Sequence, residues 1–187
     1  MTDELTAVNM VLSAIGEAPV STLTNPFHEV VLAQAQIQNS SRELQMAGLH
    51  CNTDHDFILN PVEGGIAVPA GALSVRPYYG GDHFVVRAGK LYDKTTNSFA
   101  FTQPVHCNII WLLDFEDLPE PHRFYVAVRA ARVVAHNYVG AMDIERFTAA
   151  DEARAKVIVD AEEMRASAHL MSNYAPVNGI MAMHRRR

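Results

Sequence analysis

The chain changes its hydrophobic period twice, and this limits the folds open to it. Apolar residues recur every three or four positions up to about residue 50 and again after residue 120, as in α-helices. From about His55 to Asp114 they form short runs rich in Val, Ile, Phe and Tyr, broken by glycines. Such runs are typical of short antiparallel strands. The sequence therefore predicts an α+β fold, a four-helix body with an inserted small antiparallel β subdomain.

Two helices are predicted before the insertion. The first runs from about Thr2 to Ile15 and ends at Gly16. The second begins at Asn25-Pro26, with Asn as cap and Pro at the first position, and ends at Gly48. Its predicted apolar stripe consists of Phe27, Val30, Val31, Ile37 and Leu44.

Two further helices are predicted after the insertion. Pro121 opens the third and Gly140 stops it. The fourth spans about Thr148 to Met171, with Thr148 as cap. Small and apolar residues form a narrow seam along it that favours close helix packing: Ala153, Val157, Ala161, Met164 and Ala168.

The insertion and the chain ends complete the predicted organisation. Phe84–Val86 and Lys90–Tyr92 flank a glycine turn, and Val105–Leu113 is the longest strand candidate. We expect four segments: residues 1–50 (first two helices), 51–115 (β insertion), 116–172 (last two helices) and 173–187 (an extended C-terminal tail).

Composition excludes several functional classes. The net charge of −6 argues against a basic nucleic-acid-binding protein. No apolar run approaches the roughly 18–20 residues that span a bilayer, and the acidic start Met1–Glu4 does not resemble a signal peptide. We therefore expect a protein made and kept in a cytoplasm-like compartment.

Three stretches resemble the tail tubular protein A family, the head-to-tail adaptors of short-tailed, podovirus-type phages. The first is Leu5–Asn9 followed by Ile15–Glu17 and Pro19–Leu23, where Ala18 replaces a family proline. The second is Gly89–Thr95. The third joins Asn108–Ile110 to the following segments at kept spacing: Asp114, Asp117–Glu120, Arg123–Tyr125, Gly140-Ala141 and Asp151–Arg154.

The resemblance implies a structural protein of the virion tail, present in the host cytoplasm during assembly, that is not an enzyme and needs no cofactor. It implies a ring, usually of twelve subunits, between the portal protein and the nozzle protein (tail tubular protein B). Tail fibres attach around this junction, and genomic DNA passes through the lumen during ejection without sequence-specific binding. The chain matches the family poorly from Ile66 to His83 and after Ala168.

Two residue groups suggest other chemistry. A zinc site is conceivable at His50, Cys51, His55, His106 and Cys107, but the spacing is poor because adjacent strand residues point to opposite faces. The acidic cluster Asp114, Glu116, Asp117 and Glu120 supports a competing hypothesis, a virion-associated glycan hydrolase. A structural explanation is also open, because acidic side chains near the N-terminus of a helix interact favourably with the helix dipole.

Two basic groups are candidate interaction sites. Arg129, Arg132 and His136 share a face of the third helix, with Arg123 nearby, and form either a solvated face or a subunit interface. The terminal His184, Arg185, Arg186 and Arg187 form a disordered end, a nucleic-acid contact or an anchor on the portal. The resemblance favours the portal.

Overall fold

A computed structural model describes residues 1–24, 27–79, 81, 83–139 and 149–173. Its contacts divide into two compact units. Unit 1 comprises Met1–Ser41 and the chain from Leu118 onward, and unit 2 comprises Arg42–Asp117. Helices and antiparallel strands are both present, so the predicted α+β class is confirmed.

Unit 1 is built from helices. These are α1 (Glu4–Ala14), α2 (His28–Gln45, whose last turn belongs to unit 2), α3 (Glu120–Val139) and α4 (Ala149–Asn173). α3 packs against both α1 and α4. The core is lined by small and β-branched side chains, among them Val8, Val11, Val126, Ala130 and Val159.

The first helix begins and ends as its sequence predicts. Asp3 caps it by accepting a hydrogen bond from the Thr6 amide at 2.7 Å. Gly16 has a φ of 82°, and the Glu17 amide donates back to the Leu12 carbonyl at 3.0 Å. The loop that follows is then held by Asn9, whose amide group both accepts from and donates to the Val20 backbone, at 2.8 and 3.0 Å.

Other predicted boundaries lie outside the described residues. These are the Asn25-Pro26 cap, the Gly140 stop and the Thr148 cap. The observed starts of α2 at His28, of α3 at Glu120 and of α4 at Ala149 agree with the predictions to within a few residues.

Unit 2 contains two small sheets. Strands β1 (Thr53–Leu59), β2 (Ala72–Pro77) and β5 (Val105–Trp111) form an antiparallel sheet in the order β1-β5-β2. Strands β3 (Phe84–Arg87) and β4 (Lys90–Asp93) form the predicted hairpin around Gly89. The buried core of unit 2 consists of Leu59, Ile66, Val75, Phe84, Leu91, Cys107 and Ile109.

The start and the end of the insertion are joined by two amide side chains. The fully buried Gln45 donates to the Leu113 carbonyl at 3.0 Å and accepts from the Leu113 amide at 2.7 Å. Asn52 donates to the Gln45 and Trp111 carbonyls, at 3.1 and 2.7 Å, and accepts from the Leu49 amide. The chain therefore leaves α2 and returns after β5 at one hydrogen-bonded point.

Two predicted apolar stripes lie differently from expectation. On α2, the predicted residues Val30, Ile37 and Leu44 are buried, but Val31 is 50% exposed. Phe27, which precedes the first residue of α2, is 72% exposed. On α4, the side chains buried in unit 1 are Ala155 and Val159, whereas Val157 and Met164 of the predicted seam are exposed. A helical period identifies a stripe, but it does not show which of two stripes the fold buries.

Among the described residues, no helix is both long and apolar enough to cross a membrane.

Candidate functional site

The predicted arginine face of α3 meets an acid of α4. Glu152 accepts from Arg129 Nη1 at 3.0 Å and also pairs with Arg132 Nε. Tyr125 donates its hydroxyl to the same carboxylate at 3.4 Å. The Glu152 side chain is only 14% exposed and both arginines are 32% exposed, so water screens this three-charge cluster incompletely. The cluster ties α3 to α4 within one chain.

The other two residues predicted for that face lie apart from this cluster. Arg123 has a side chain only 7% exposed and pairs with Glu120 at 3.2 Å, one turn away. His136 is exposed near the C-terminal end of α3. A subunit interface that uses Arg123, Arg129, Arg132 and His136 stays a prediction.

A second polar link between α3 and α4 was not predicted from the sequence. The fully buried His122 lies 2.8 Å from Glu163, measured from Nε2 to Oε1. Together with Glu152, Ala155 and Val159, Glu163 recurs on one face of α4, which packs on α3. The sequence did contain a signal for this link, because Glu163 continues the helical spacing of the buried residues Ala155 and Val159.

The acidic cluster is divided between the two units. Asp114, Glu116 and Asp117 are exposed in unit 2, around the short 3-10 helix Phe115–Asp117. Glu120 belongs to unit 1 and accepts from the Thr2 amide at 2.9 Å and from the Thr2 hydroxyl at 2.7 Å. These hydrogen bonds, the hydroxyl first, lower the pKa of Glu120. A general acid needs the opposite shift, since it must keep its proton near neutral pH.

The residues considered for zinc have ordinary roles in unit 2. Cys107 is fully buried, donates to the Phe57 carbonyl at 3.2 Å, and has a pKa raised by burial to about 11. The Cys107 thiol therefore already has a hydrogen-bond partner inside the core of unit 2. His106, on the opposite face of β5, pairs with Asp56, and His55 hydrogen-bonds Asn108 at 3.0 Å. His50 is exposed and Cys51 is partly buried.

The predicted portal contact lies outside the described residues. It comprises His184, Arg185, Arg186 and Arg187. Its role therefore stays a prediction that rests on the sequence.

Comparison with known proteins defines the class to which this fold and these sites belong. Residues 5–169 match the family described as tail tubular protein. A relative, tail tubular protein A of Klebsiella phage KP34, is 31% identical over 162 residues, covering 87% of this chain and 87% of that protein. Both findings describe a structural component of a phage tail.

The chain belongs to the tail tubular protein family. The resemblance inferred from Leu5–Leu23, Gly89–Thr95 and Asn108–Arg154 is thereby confirmed. The protein is part of the virion tail, where it assembles with other tail proteins.

Proposed function

We propose that this protein is a structural adaptor, without catalytic activity, that forms a ring of twelve subunits between the portal and the nozzle protein. In this position the ring forms part of the DNA conduit and carries the attachment region of the tail fibres. The observation that carries the proposal is the family match over residues 5–169.

The physical properties of the chain are consistent with a conduit wall. A subunit of 187 residues has to associate with further copies to enclose duplex DNA, and repeated head-to-tail contacts form a closed ring when the rotation between neighbouring subunits closes on itself. Each subunit carries a net charge of −6, so the ring repels phosphate rather than retaining it. DNA then passes without sequence-specific binding.

The tail residues His184, Arg185, Arg186 and Arg187 are our proposed contact with the portal. We further propose that Arg123, Arg129, Arg132 and His136 contribute to contacts between subunits. The Glu152 carboxylate already pairs with Arg129 and Arg132 within the chain. Arg129 and Arg132 therefore contribute to the proposed interface by holding α4 in position.

Sedimentation velocity with purified portal tests the adaptor proposal. The native protein alone is expected to sediment slowly. Mixed with portal, it should join a faster-sedimenting complex, and electron microscopy of that complex should show a ring. Replacing Arg185, Arg186 and Arg187 with alanine should weaken this association. The matched control removes three exposed positive charges of unit 2 instead: Arg76, Lys90 and Lys94. If native protein and portal sediment separately at every ratio, the proposed function is wrong.

A further inference from the structure

α4 carries two stripes on nearly opposite faces. One stripe, formed by Glu152, Ala155, Val159 and Glu163, faces α3. The other, here called the α4 outer stripe, consists of Ala153, Val157, Ala161 and Met164 and is centred about 150° around the helix from the first, at ~100° per residue. Val157 is 66% exposed and Met164 72% exposed. These two exposed apolar side chains, with small residues between them, form an apolar strip of a kind that packs well against another helix.

α2 has a matching outer face. Val31 and Ala35 on α2, with Phe27 just before its first residue, are exposed at four-residue spacing on a face roughly 100–120° around the helix from the buried Val30 and Ile37. This α2 outer stripe is roughly 12 Å long, and the α4 outer stripe is roughly 16 Å long, at ~1.5 Å per residue. Both stripes belong to unit 1, so each copy of the chain presents two apolar surfaces of comparable length.

The electrostatics of the α4 outer stripe fit a second copy of this chain. Charged side chains beside the stripe are paired within the helix: Arg154 with Asp151, Lys156 with Asp160, and Arg165 with Glu162. Two chains of net charge −6 repel each other. They approach most easily where the local charges cancel and apolar surface is exposed, and the small Ala153 and Ala161 let a second helix come close.

We infer that the α4 outer stripe of one subunit packs on the α2 outer stripe of the next subunit. The two stripes are different surfaces, so the contact is heterologous and repeats around a ring instead of stopping at a dimer. This inference rests on the proposed ring, and it names the surfaces that build it.

Glutamate substitutions test the stripe with a control on the same helix. Val157→Glu or Met164→Glu would bury an unpaired carboxylate at the interface, which should reduce the ring fraction formed with portal by about tenfold or more. Ile158→Glu is the matched control. Ile158 is 50% exposed but lies roughly 100° away from the outer stripe. Ring formation by this variant should stay near the native level.

Cysteine cross-linking tests which surfaces meet. In a Cys51→Ser background, the double variant Val31→Cys/Val157→Cys should give a ladder of dimers, trimers and larger species on mild oxidation of the assembled ring. Each single variant should stay monomeric. Dimers formed by Val157→Cys alone would show that α4 packs on α4, and they would overturn the inference.

The remaining outcomes separate this inference from the proposed function. If Val157→Glu forms rings as well as native protein, the stripe assignment is wrong and the adaptor proposal stands. If native protein never forms rings with portal, both fail. A lower melting temperature of the isolated Val157→Glu subunit, relative to Ile158→Glu, would show that the stripe is covered within its own chain, which also overturns the inference.

Discussion

At the scale of single residues, Glu120 shows how a carboxylate of the acidic cluster acts structurally. It lies in the first turn of α3, where a negative charge interacts favourably with the helix dipole. It also accepts from the Thr2 amide and hydroxyl and pairs with Arg123. These contacts join the N-terminus of the chain to the start of α3 and stabilise the ionised form of the carboxyl group.

The lowered pKa of Glu120 predicts a pH-dependent contribution to stability. A carboxyl group whose folded pKa lies below its ordinary value of 4.5 stabilises the fold above that value, and this stabilisation is lost as the pH falls through the folded pKa. Glu120→Gln should therefore lower the melting temperature at about pH 7, with a difference from native that shrinks below about pH 4. The exposed Glu17→Gln is the control. An equal loss at both pH values would contradict the proposed ionic role.

Residue-scale contacts were also the hardest to predict from the sequence. Gln45 is fully buried, and nothing in the sequence pattern indicated that it would bind the backbone of Leu113, 68 positions later. The pairs His122–Glu163 and Arg132–Glu152 also join distant positions. Such pairs depend on how helices pack, and helical periodicity carries no information about that.

At the scale of secondary-structure elements, local signals predicted most of the fold. Gly16 ends α1, and the hairpin lies where Phe84–Val86 and Lys90–Tyr92 flank the turn. Both signals act within a few residues, so the sequence contains them in full. Burial on α2 and α4 was predicted less well, because each helix has two apolar stripes and only one is covered within the subunit.

The β3–β4 turn predicts opposite effects for two neighbouring substitutions. Ala88 and Gly89 have φ values of 49° and 71°, as a two-residue type I′ turn requires. Ala88→Asn should raise the free energy of unfolding by about 0.5–1 kcal/mol, because Asn tolerates positive φ better than Ala. Gly89→Ala should lower it by about 1–2 kcal/mol through backbone strain alone, since a Cβ there meets nothing within 4 Å.

Gly65→Ala provides the control for the turn. Gly65 does not have a positive φ, and an added Cβ would lie 3.7 Å from the Phe99 carbonyl oxygen, an ordinary contact. Urea denaturation should therefore place this variant within about 0.5 kcal/mol of native. A loss as large as that of Gly89→Ala would show that the turn geometry is not the cause.

At the scale of the whole molecule, the net charge of the protein predicts how weakly it binds duplex DNA. A net charge of −6 opposes binding to phosphate, so duplex DNA at about 0.15 M salt should bind native protein more weakly than a dissociation constant of about 10⁻⁴ M. Fluorescence anisotropy of a labelled duplex measures this. Tight binding that disappears when residues 184–187 are deleted would instead assign the arginine tail to nucleic acid rather than to the portal.

The junction at Gln45 and Leu113 has a consequence for how members of this family can diverge. The side-chain amide of Gln45 pairs with the Leu113 backbone much as a neighbouring strand would, so the insertion begins and ends as a closed loop. Closing a loop costs little more as its length grows. Segments added to the loops that join the strands between Asn52 and Trp111 should therefore leave the Gln45–Leu113 junction intact, so the insertion can change in length without losing its connection to α2.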